Sequence, residues 1–326
     1  MSAGRALFCP GLAVAALAWA LTATAPAAAG YAGGSEAAEL ELPGSALALV
    51  AGSATGGLSR DALAVGENPA RIGEAAGGSA AATYALHPGG LSDSQIAIGL
   101  ARGSAGAFGA SLRLVRASFP VALEDGAGAY GGTRGDVTCQ TVAGTVGWAP
   151  DPSGAAEWFG RAVRAGVSVT YLQREVGGQP ASGGGVGGGV VVPCGAGVDA
   201  FAVVRNVGWT GPRVWPAAVS AGASIDRADL PLSGGALRAS LAGAWSRERG
   251  GSAAGGIELG FGRESMGAAL RAGYEIGTVR AISPWPSGGL AVRVAGLSVE
   301  VGIGSLGGLG LERIVTLSYR ETSAEE

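Results

Sequence analysis

The residues that could carry out catalysis are few, and the first to consider is the single histidine. His87 lies in the segment His87-Pro88-Gly89-Gly90, whose composition is typical of a turn, so a turn residue is favoured over a general base. A Gly-x-Ser-x-Gly nucleophile elbow is absent, and no other histidine could complete a Ser-His-Asp triad. Paired carboxylates of a glycosidase stay open, because they meet only in the folded chain. We therefore predict a protein that is not an enzyme, with no catalytic residues.

Three glycine patterns match the dinucleotide-binding fingerprint, starting at Gly126, Gly183 and Gly302. With 62 glycines in 326 residues, chance alone gives about two such matches, and none of the three precedes a helix in a βαβ unit. All 22 basic residues are arginine, and the absence of lysine excludes lysine-dependent phosphate loops and Schiff-base chemistry. Acidic residues do not show the spacing of a metal loop. The sequence thus predicts no cofactor and no metal.

The N-terminus has the pattern of a secretory signal. Arg5 supplies positive charge, residues 6–20 are apolar, and Ala27-Ala28-Ala29 offers a cleavage site, which predicts a signal peptide over residues 1–29. An uncleaved membrane anchor is the alternative. No later window offers about 18 apolar residues without charge, as a helical membrane span would require.

The composition is unusual for an exported chain that lacks such a span. It is 48% hydrophobic and 14% charged, with a mean hydropathy of +0.33 and a net charge of −3. These values exclude a disordered chain and disfavour a nucleic-acid partner. Apolar residues that are dispersed by alternation, each facing lipid singly, are typical of a transmembrane β-barrel.

Alternation runs through most of the chain. Between Leu297 and Ile303, for example, every second residue is apolar, and Ser298, Glu300 and Gly302 lie between. The pattern predicts fourteen strands, near residues 79–87, 93–102, 106–116, 137–149, 162–174, 184–193, 196–206, 215–225, 235–248, 252–262, 267–276, 287–295, 297–304 and 311–320. The glycine-rich segment 184–193 could instead be a loop. The predicted fold is all-β, a transmembrane antiparallel β-barrel over residues 78–320. A soluble exported β-sandwich or solenoid is the alternative fold.

Residues 30–77 have a different character and predict a short helical N-terminal hatch. Leu58–Leu63 is interpreted as the start of a helix, with Ser59 as its cap and Leu58 packed on Leu63. Pro69 disfavours helical geometry at Asn68 and should end that helix. In a barrel such a segment would plug the lumen or lie beneath it. Residues 321–326 form a polar C-terminal tail.

Tryptophans and cysteines give two further expectations. The tryptophans near predicted strand ends suit the aromatic girdles of a membrane barrel, and these are Trp148, Trp209, Trp215, Trp245 and Trp285. Packing near turns in a soluble sandwich is the alternative. Export permits a disulfide between Cys139 and Cys194, but two cysteines do not establish one.

Charged residues on the polar strand faces should point into the lumen, because charge facing lipid at the midplane costs about 2–4 kcal/mol. Arg113, Arg238, Arg271 and Arg293 are the candidate ligand-binding residues, since guanidinium groups can hold the carboxylate of an amphiphile. The alternative, which we favour, is that they pair with Glu275, Glu300 and each other across strands and so fill the lumen.

Two short motifs resemble a known family. The N-terminal segment contains Glu67-Asn68-Pro69-Ala70-Arg71-Ile72, and a later strand contains the run from Phe201 to Gly208. In this order they resemble the PorV/PorQ family of outer-membrane barrels, which are relatives of the FadL transporters.

The resemblance implies a fourteen-stranded barrel in the outer membrane, with Asn68, Pro69 and Ala70 in the hatch. It implies that the protein takes up hydrophobic ligands or handles secreted cargo in type IX secretion. The expected partners are therefore outer-membrane lipid and either a hydrophobic small molecule or a secreted protein.

Overall fold

The computed structural model describes residues 38–74, 77–101, 103–124, 130–151, 157–158, 161–211, 213–230, 235–246, 250–263, 266–277, 286–305 and 310–321. The predicted signal peptide, Trp285 and all but the first residue of the predicted tail lie outside these ranges.

Fourteen antiparallel strands form one closed barrel. Each strand pairs with its neighbours in sequence, and β14 pairs with β1 to close the ring. The strands are β1 Gly78–His87, β2 Leu91–Ala101, β3 Ala107–Glu124, β4 Tyr130–Ala149, β5 Arg164–Val176, β6 Gln179–Gly195, β7 Val198–Thr210, β8 Ala218–Leu230, β9 Gly235–Ser246, β10 Gly250–Arg263, β11 Met266–Gly277, β12 Ser287–Val294, β13 Leu297–Ser305 and β14 Leu311–Arg320. The predicted fold and strand number are confirmed.

The side chains alternate between an apolar outer face and a buried inner face. On β13 the outward residues Leu297 to Ile303 are exposed, whereas Ser298 and Glu300 are buried in the lumen. On β11 the outward face is apolar from Met266 to Ile276. Ten residues of a strand tilted by about 40° cover roughly 25 Å along the barrel axis, the height of the apolar band on membrane barrels.

The end of the barrel at which β1 begins and β14 ends is here called the terminal rim, and the opposite end the distal rim. At the distal rim, β3 and β4 extend beyond the segments predicted from alternation. Arg116 and Gln140 are outward residues near the distal ends of the predicted segments 106–116 and 137–149, and Ser118 lies just beyond the first of them. These polar side chains end the apolar pattern, which is why the sequence predicted shorter strands.

Segment 184–193 is part of β6, so the loop alternative for it is wrong. The register between β6 and β7 shifts between Val186 and Gly188. Two residues of β7, Arg205 and Asn206, lie opposite Gly187 in this bulge, and Asn206 has a φ of 57°, a left-handed conformation that asparagine tolerates better than most residues.

Residues 38–74, here called the hatch, contain two α-helices, α1 Ala46–Ala51 and α2 Ala64–Glu67. Three 3₁₀ helices cover Ala38–Glu41, Gly52–Gly57 and Pro69–Glu74. None of the helices in the described ranges is long and apolar enough to cross a membrane.

The predicted helix start at Leu58–Leu63 is wrong. The backbone N–H of Ser59 bonds to the carbonyl of Thr55, which closes the preceding 3₁₀ helix. Asp61, rather than Ser59, accepts the backbone N–H of Leu63 at the entrance to α2. Asn68 ends α2 in extended geometry, as the following proline predicted.

Trp148 and Trp209 point outward at opposite rims, where 42% and 65% of their surfaces are exposed. Trp148 also donates from Nε1 to the carbonyl of Ala105. The girdle prediction is wrong for Trp215, which is fully buried inside the lumen. The segment that follows β7 folds inward, where the backbone N–H of Trp215 donates a hydrogen bond to the carbonyl of Gly208.

Candidate functional site

The hatch occupies the lumen and packs on parts of the barrel wall where glycine leaves no side chain. In α1, Ser45 accepts the N–H of Ala48 as an N-cap, and the N–H of Ala46 donates to Thr316 Oγ1 at 3.0 Å. The carbonyl of Val50 lies against Gly273 so closely that any Cβ at that glycine would overlap it. Glycine in the wall therefore allows the helix to approach the strands.

Asn68, Pro69 and Ala70 hold two parts of the hatch together. Asn68 is fully buried and donates from Nδ2 to the carbonyl of Gly56 at 2.8 Å. Its Oδ1 accepts the N–H of Ala70 and occupies the space that a side chain at Gly189 would need. This geometry gives the predicted hatch motif a structural role, because the polar side-chain atoms of Asn68 bond to the hatch backbone.

A continuous series of ion pairs joins the hatch to seven strands near the terminal rim. Two representative distances are 2.7 Å from Arg71 Nη1 to Glu74 Oε1 and 2.6 Å from Arg60 Nη1 to Asp226 Oδ2. Its members, here called the ion-pair chain, are in order Arg164, Asp199, Arg71, Glu74, Arg60, Asp226, Arg238, Glu258, Arg271 and Glu300. Arginines and carboxylates balance one another in this chain, so the buried charge is compensated.

Asp61 of the hatch lies beside this chain. Burial and the nearby Glu300 carboxylate raise the pKa of Asp61 to about 6. Asp61 thus exchanges its proton close to neutral pH.

Three of the four predicted ligand-binding arginines are engaged by carboxylates. Arg113 donates from Nε to Asp93 at 2.9 Å and from Nη2 to the hatch carbonyl of Leu42. Arg238 and Arg271 belong to the ion-pair chain, and Arg271 contacts Glu300 as expected. The fourth, Arg293, is exposed, and no ion pair joins it to another described residue.

Glu275, by contrast, lies against Gly52 of the hatch and forms no ion pair with these arginines in the described ranges. The sequence did not reveal seven members of the ion-pair chain. Apart from the pair Arg71 and Glu74, their partners lie far apart in sequence, so they carried no common signal: Arg60, Arg71, Glu74, Arg164, Asp199, Asp226 and Glu258.

His87 lies at the end of β1, next to the predicted turn, but its side chain is buried in the lumen. Nδ1 contacts Glu312, and Nε2 lies 3.8 Å from Asp93. The described residues contain no group of three or more histidine, cysteine, aspartate or glutamate side chains arranged to hold a metal ion. Cys139 carries a free thiol, so it is not paired with Cys194.

A cavity of about 150 Å³ lies between the hatch and the wall. On the hatch side its lining includes Leu49, Leu63 and Pro69. On the wall side it includes hydroxyl groups of β3, β4 and β5 and the bulge at Asn206. This cavity, here called the hatch cavity, has a volume that suits one small ligand.

Trp215 lies in the lumen towards the distal rim. Its Nε1 donates to Thr210 Oγ1 at 2.7 Å, and its ring fills the notch left by Gly185 and Gly208. It packs with Leu172 of the wall and with Leu40 of the hatch. The ring therefore fixes the start of the hatch against the barrel.

A second cavity, of about 170 Å³, lies at the terminal rim. Its lining combines Arg238, Arg271 and Arg293 with Leu47 and Leu58 of the hatch. The two cavities lie on different sides of the hatch, one towards each rim.

Comparison with solved structures places this fold beside hydrocarbon channels. The TodX deltaS2S3 mutant, a monoaromatic hydrocarbon channel, aligns with a TM-score of 0.58 and 10% identity over 85% of this chain and 99% of its own. The toluene transporter TodX of Pseudomonas putida aligns with a TM-score of 0.57 and 10% identity, over 84% and 97%.

The toluene transporter TbuX of Ralstonia pickettii aligns with a TM-score of 0.53 and 12% identity, over 87% of this chain and 99% of its own. No protein-family model matches the sequence, and neither does any curated protein sequence. At such identities the likeness establishes the fold, which is the barrel that the FadL-like resemblance implied.

Proposed function

We propose that this protein is an outer-membrane β-barrel that passes small hydrophobic molecules through the hatch cavity. The observation that carries the proposal is an internal space of about 150 Å³ whose lining includes the apolar hatch residues Leu49, Leu63 and Pro69. An engineered protein cavity of about the same volume binds benzene. The solved structures TodX and TbuX are named as a monoaromatic hydrocarbon channel and as toluene transporters, which supports the same class of ligand here.

The outer surface supports a membrane location. Large apolar side chains are exposed around the barrel wall, for example Ile98 on β2, Tyr171 on β5 and Leu270 on β11. A soluble protein rarely exposes so large an apolar patch. An exported barrel with this surface fits the outer membrane, whose spanning proteins are closed sheets.

Blocking the hatch cavity tests the proposed function. Ser111 lines it, whereas the next residue, Leu112, points to the outside. Ser111→Trp should reduce uptake of radiolabelled toluene by a Gram-negative host to the level of cells without the protein. Leu112→Trp, the matched control, should leave uptake unchanged. Equal uptake by both variants at the wild-type rate would overturn the proposal.

For the four lumenal arginines we propose two roles. Arg113 holds the hatch to the wall, which its hydrogen bond to the carbonyl of Leu42 supports. Arg238 and Arg271 link neighbouring strands of the wall, which their carboxylate partners support. Arg293 is the member best placed to meet the carboxylate of an amphiphile at the terminal rim. Arg293→Ala should then leave toluene uptake unchanged and affect only anionic ligands.

The PorV/PorQ resemblance implies the second candidate, cargo handling in type IX secretion. Its motif residues Asn68, Pro69 and Ala70 favour it only through the family likeness. Stoichiometric co-purification of a secreted protein, together with unchanged uptake in Ser111→Trp, would support that role instead.

A further inference from the structure

Three hydroxyl side chains form a row on the wall of the hatch cavity. Ser111 lies directly opposite Thr145, and Thr145 directly opposite Thr170, on the neighbouring strands β3, β4 and β5. All three line the cavity and keep part of their surface exposed to it. The Oγ1 atoms of Thr145 and Thr170 are 2.9 Å apart and share one hydrogen bond. We call these residues the hydroxyl row.

The hydroxyl row retains unused hydrogen-bonding capacity. A threonine hydroxyl has one donor and two acceptor positions, so the bond between Thr145 and Thr170 leaves several of them open. The Ser111 hydroxyl forms no hydrogen bond with another described residue. The hatch adds the apolar side chains of Leu49, Leu63 and Pro69 to the same lining. The cavity thus offers a ligand both hydrogen-bonding hydroxyls and apolar surface.

The charges around the cavity disfavour an anionic ligand. Arg113 is neutralised by Asp93, and Arg205 lies 3.2 Å from Glu67. Glu275 adds a carboxylate to the lining. A carboxylate in this space would meet like charge, whereas an uncharged polar group would not.

We infer that the hatch cavity selects uncharged monoaromatic ligands that carry a hydroxyl or carbonyl group, such as phenols, over plain hydrocarbons. A hydrocarbon that displaces water from the row leaves its hydroxyls without partners, which is unfavourable. A ligand hydroxyl replaces the displaced water and keeps its ring against Leu49 and Pro69. This inference rests on the proposed function and names the ligand class of the same cavity.

The test compares phenol and toluene binding to wild type and to Thr145→Val/Thr170→Val, with protein in nanodiscs and empty nanodiscs subtracted. Valine has nearly the shape of threonine without its hydroxyl, so the cavity volume is kept. We expect the double variant to weaken phenol binding about tenfold and to leave toluene binding equal or tighter. Partition of each ligand into lipid is the same for wild type and variant, so it cancels when their affinities for that ligand are compared.

Thr138→Val is the matched control, because Thr138 is exposed on β4 outside the cavity. If the double variant does not fold, Ser111→Ala gives the same comparison with a smaller expected loss. Unchanged phenol affinity, or equal changes for both ligands, would overturn the inference and leave the proposed function intact. Failure of wild type to bind either ligand would overturn both.

Discussion

The guanidinium of Arg71, which has no exposure to solvent, donates a hydrogen bond of 3.0 Å to Oδ2 of Asp199. The two residues are 128 positions apart, on the hatch and on β7. This bond links the end of the hatch to the wall near one end of the ion-pair chain. The hatch is therefore held by buried charge as well as by apolar packing.

Loss of the Arg71 guanidinium should release the end of the hatch. Arg71→Met keeps much of the volume but leaves Glu74 and Asp199 short of positive charge, which costs about 3 kcal/mol in a buried network. Hydrogen exchange of residues 69–74 should accelerate roughly 100-fold. Arg205→Met, which breaks a more exposed pair, should accelerate it less than about fivefold. Equal effects of the two variants would contradict a central role for Arg71.

Close packing of α1 on the wall predicts a strict requirement at Gly273. A methyl group in Gly273→Ala overlaps the Val50 carbonyl, so α1 must move. Exchange of residues 46–51 should then accelerate at least tenfold, while the strands stay protected. Gly144→Ala is the control, because no atom lies within 4 Å of the added methyl group. Unchanged protection of α1 in Gly273→Ala would mean that the helix does not rest on β11.

The pKa of Asp61 predicts that the hatch is more stable in acid. The folded-state pKa of about 6 is above the ordinary value of 3.8, so the folded protein binds the proton more tightly than the unfolded chain. The stabilisation is complete below pH 4 and is lost as the pH rises through 6. Protection factors of residues 58–67 should fall between pH 5 and pH 7.5 in wild type. In Asp61→Asn they should stay constant, and an identical fall in that variant would exclude Asp61 as the cause.

The free-energy cost of a charged residue on the lipid-facing wall should depend on its depth in the membrane. Leu270 is exposed near the middle of β11, and Leu311 is exposed as the first residue of β14. Leu270→Arg should lower the free energy of unfolding from lipid vesicles by about 2–4 kcal/mol, and Leu311→Arg by at most about 1 kcal/mol. Urea titration measures both. Equal costs at the two depths, or a wild-type barrel stable in water without detergent, would argue against a membrane location.

The strands could be predicted from the sequence because lipid and lumen demand opposite side chains at alternate positions. The prediction left out the distal ends of β3 and β4, where outward residues such as Ser118 are polar. It also misplaced Trp215, since proximity to a strand end does not show whether a loop folds inward.

The site was less predictable than the wall. The sequence indicated that arginines would lie in the lumen, and it identified Asn68 and Pro69 as hatch residues. It did not reveal which residues form ion pairs, because partners such as Arg60 and Asp226 are 166 positions apart. Likewise, the hydroxyl row exists only through the register of β3, β4 and β5, which alternation alone does not fix to the residue.

The most direct test of the central claim is an anomalous-scattering experiment on crystals soaked with iodobenzene, an aromatic ring that carries a heavy atom. We predict an iodine peak in the hatch cavity, between Leu49 and Thr145, and its loss in crystals of Ser111→Trp. Iodine peaks confined to the lipid-facing wall, with none in the hatch cavity of wild type, would contradict a ligand pathway through this lumen.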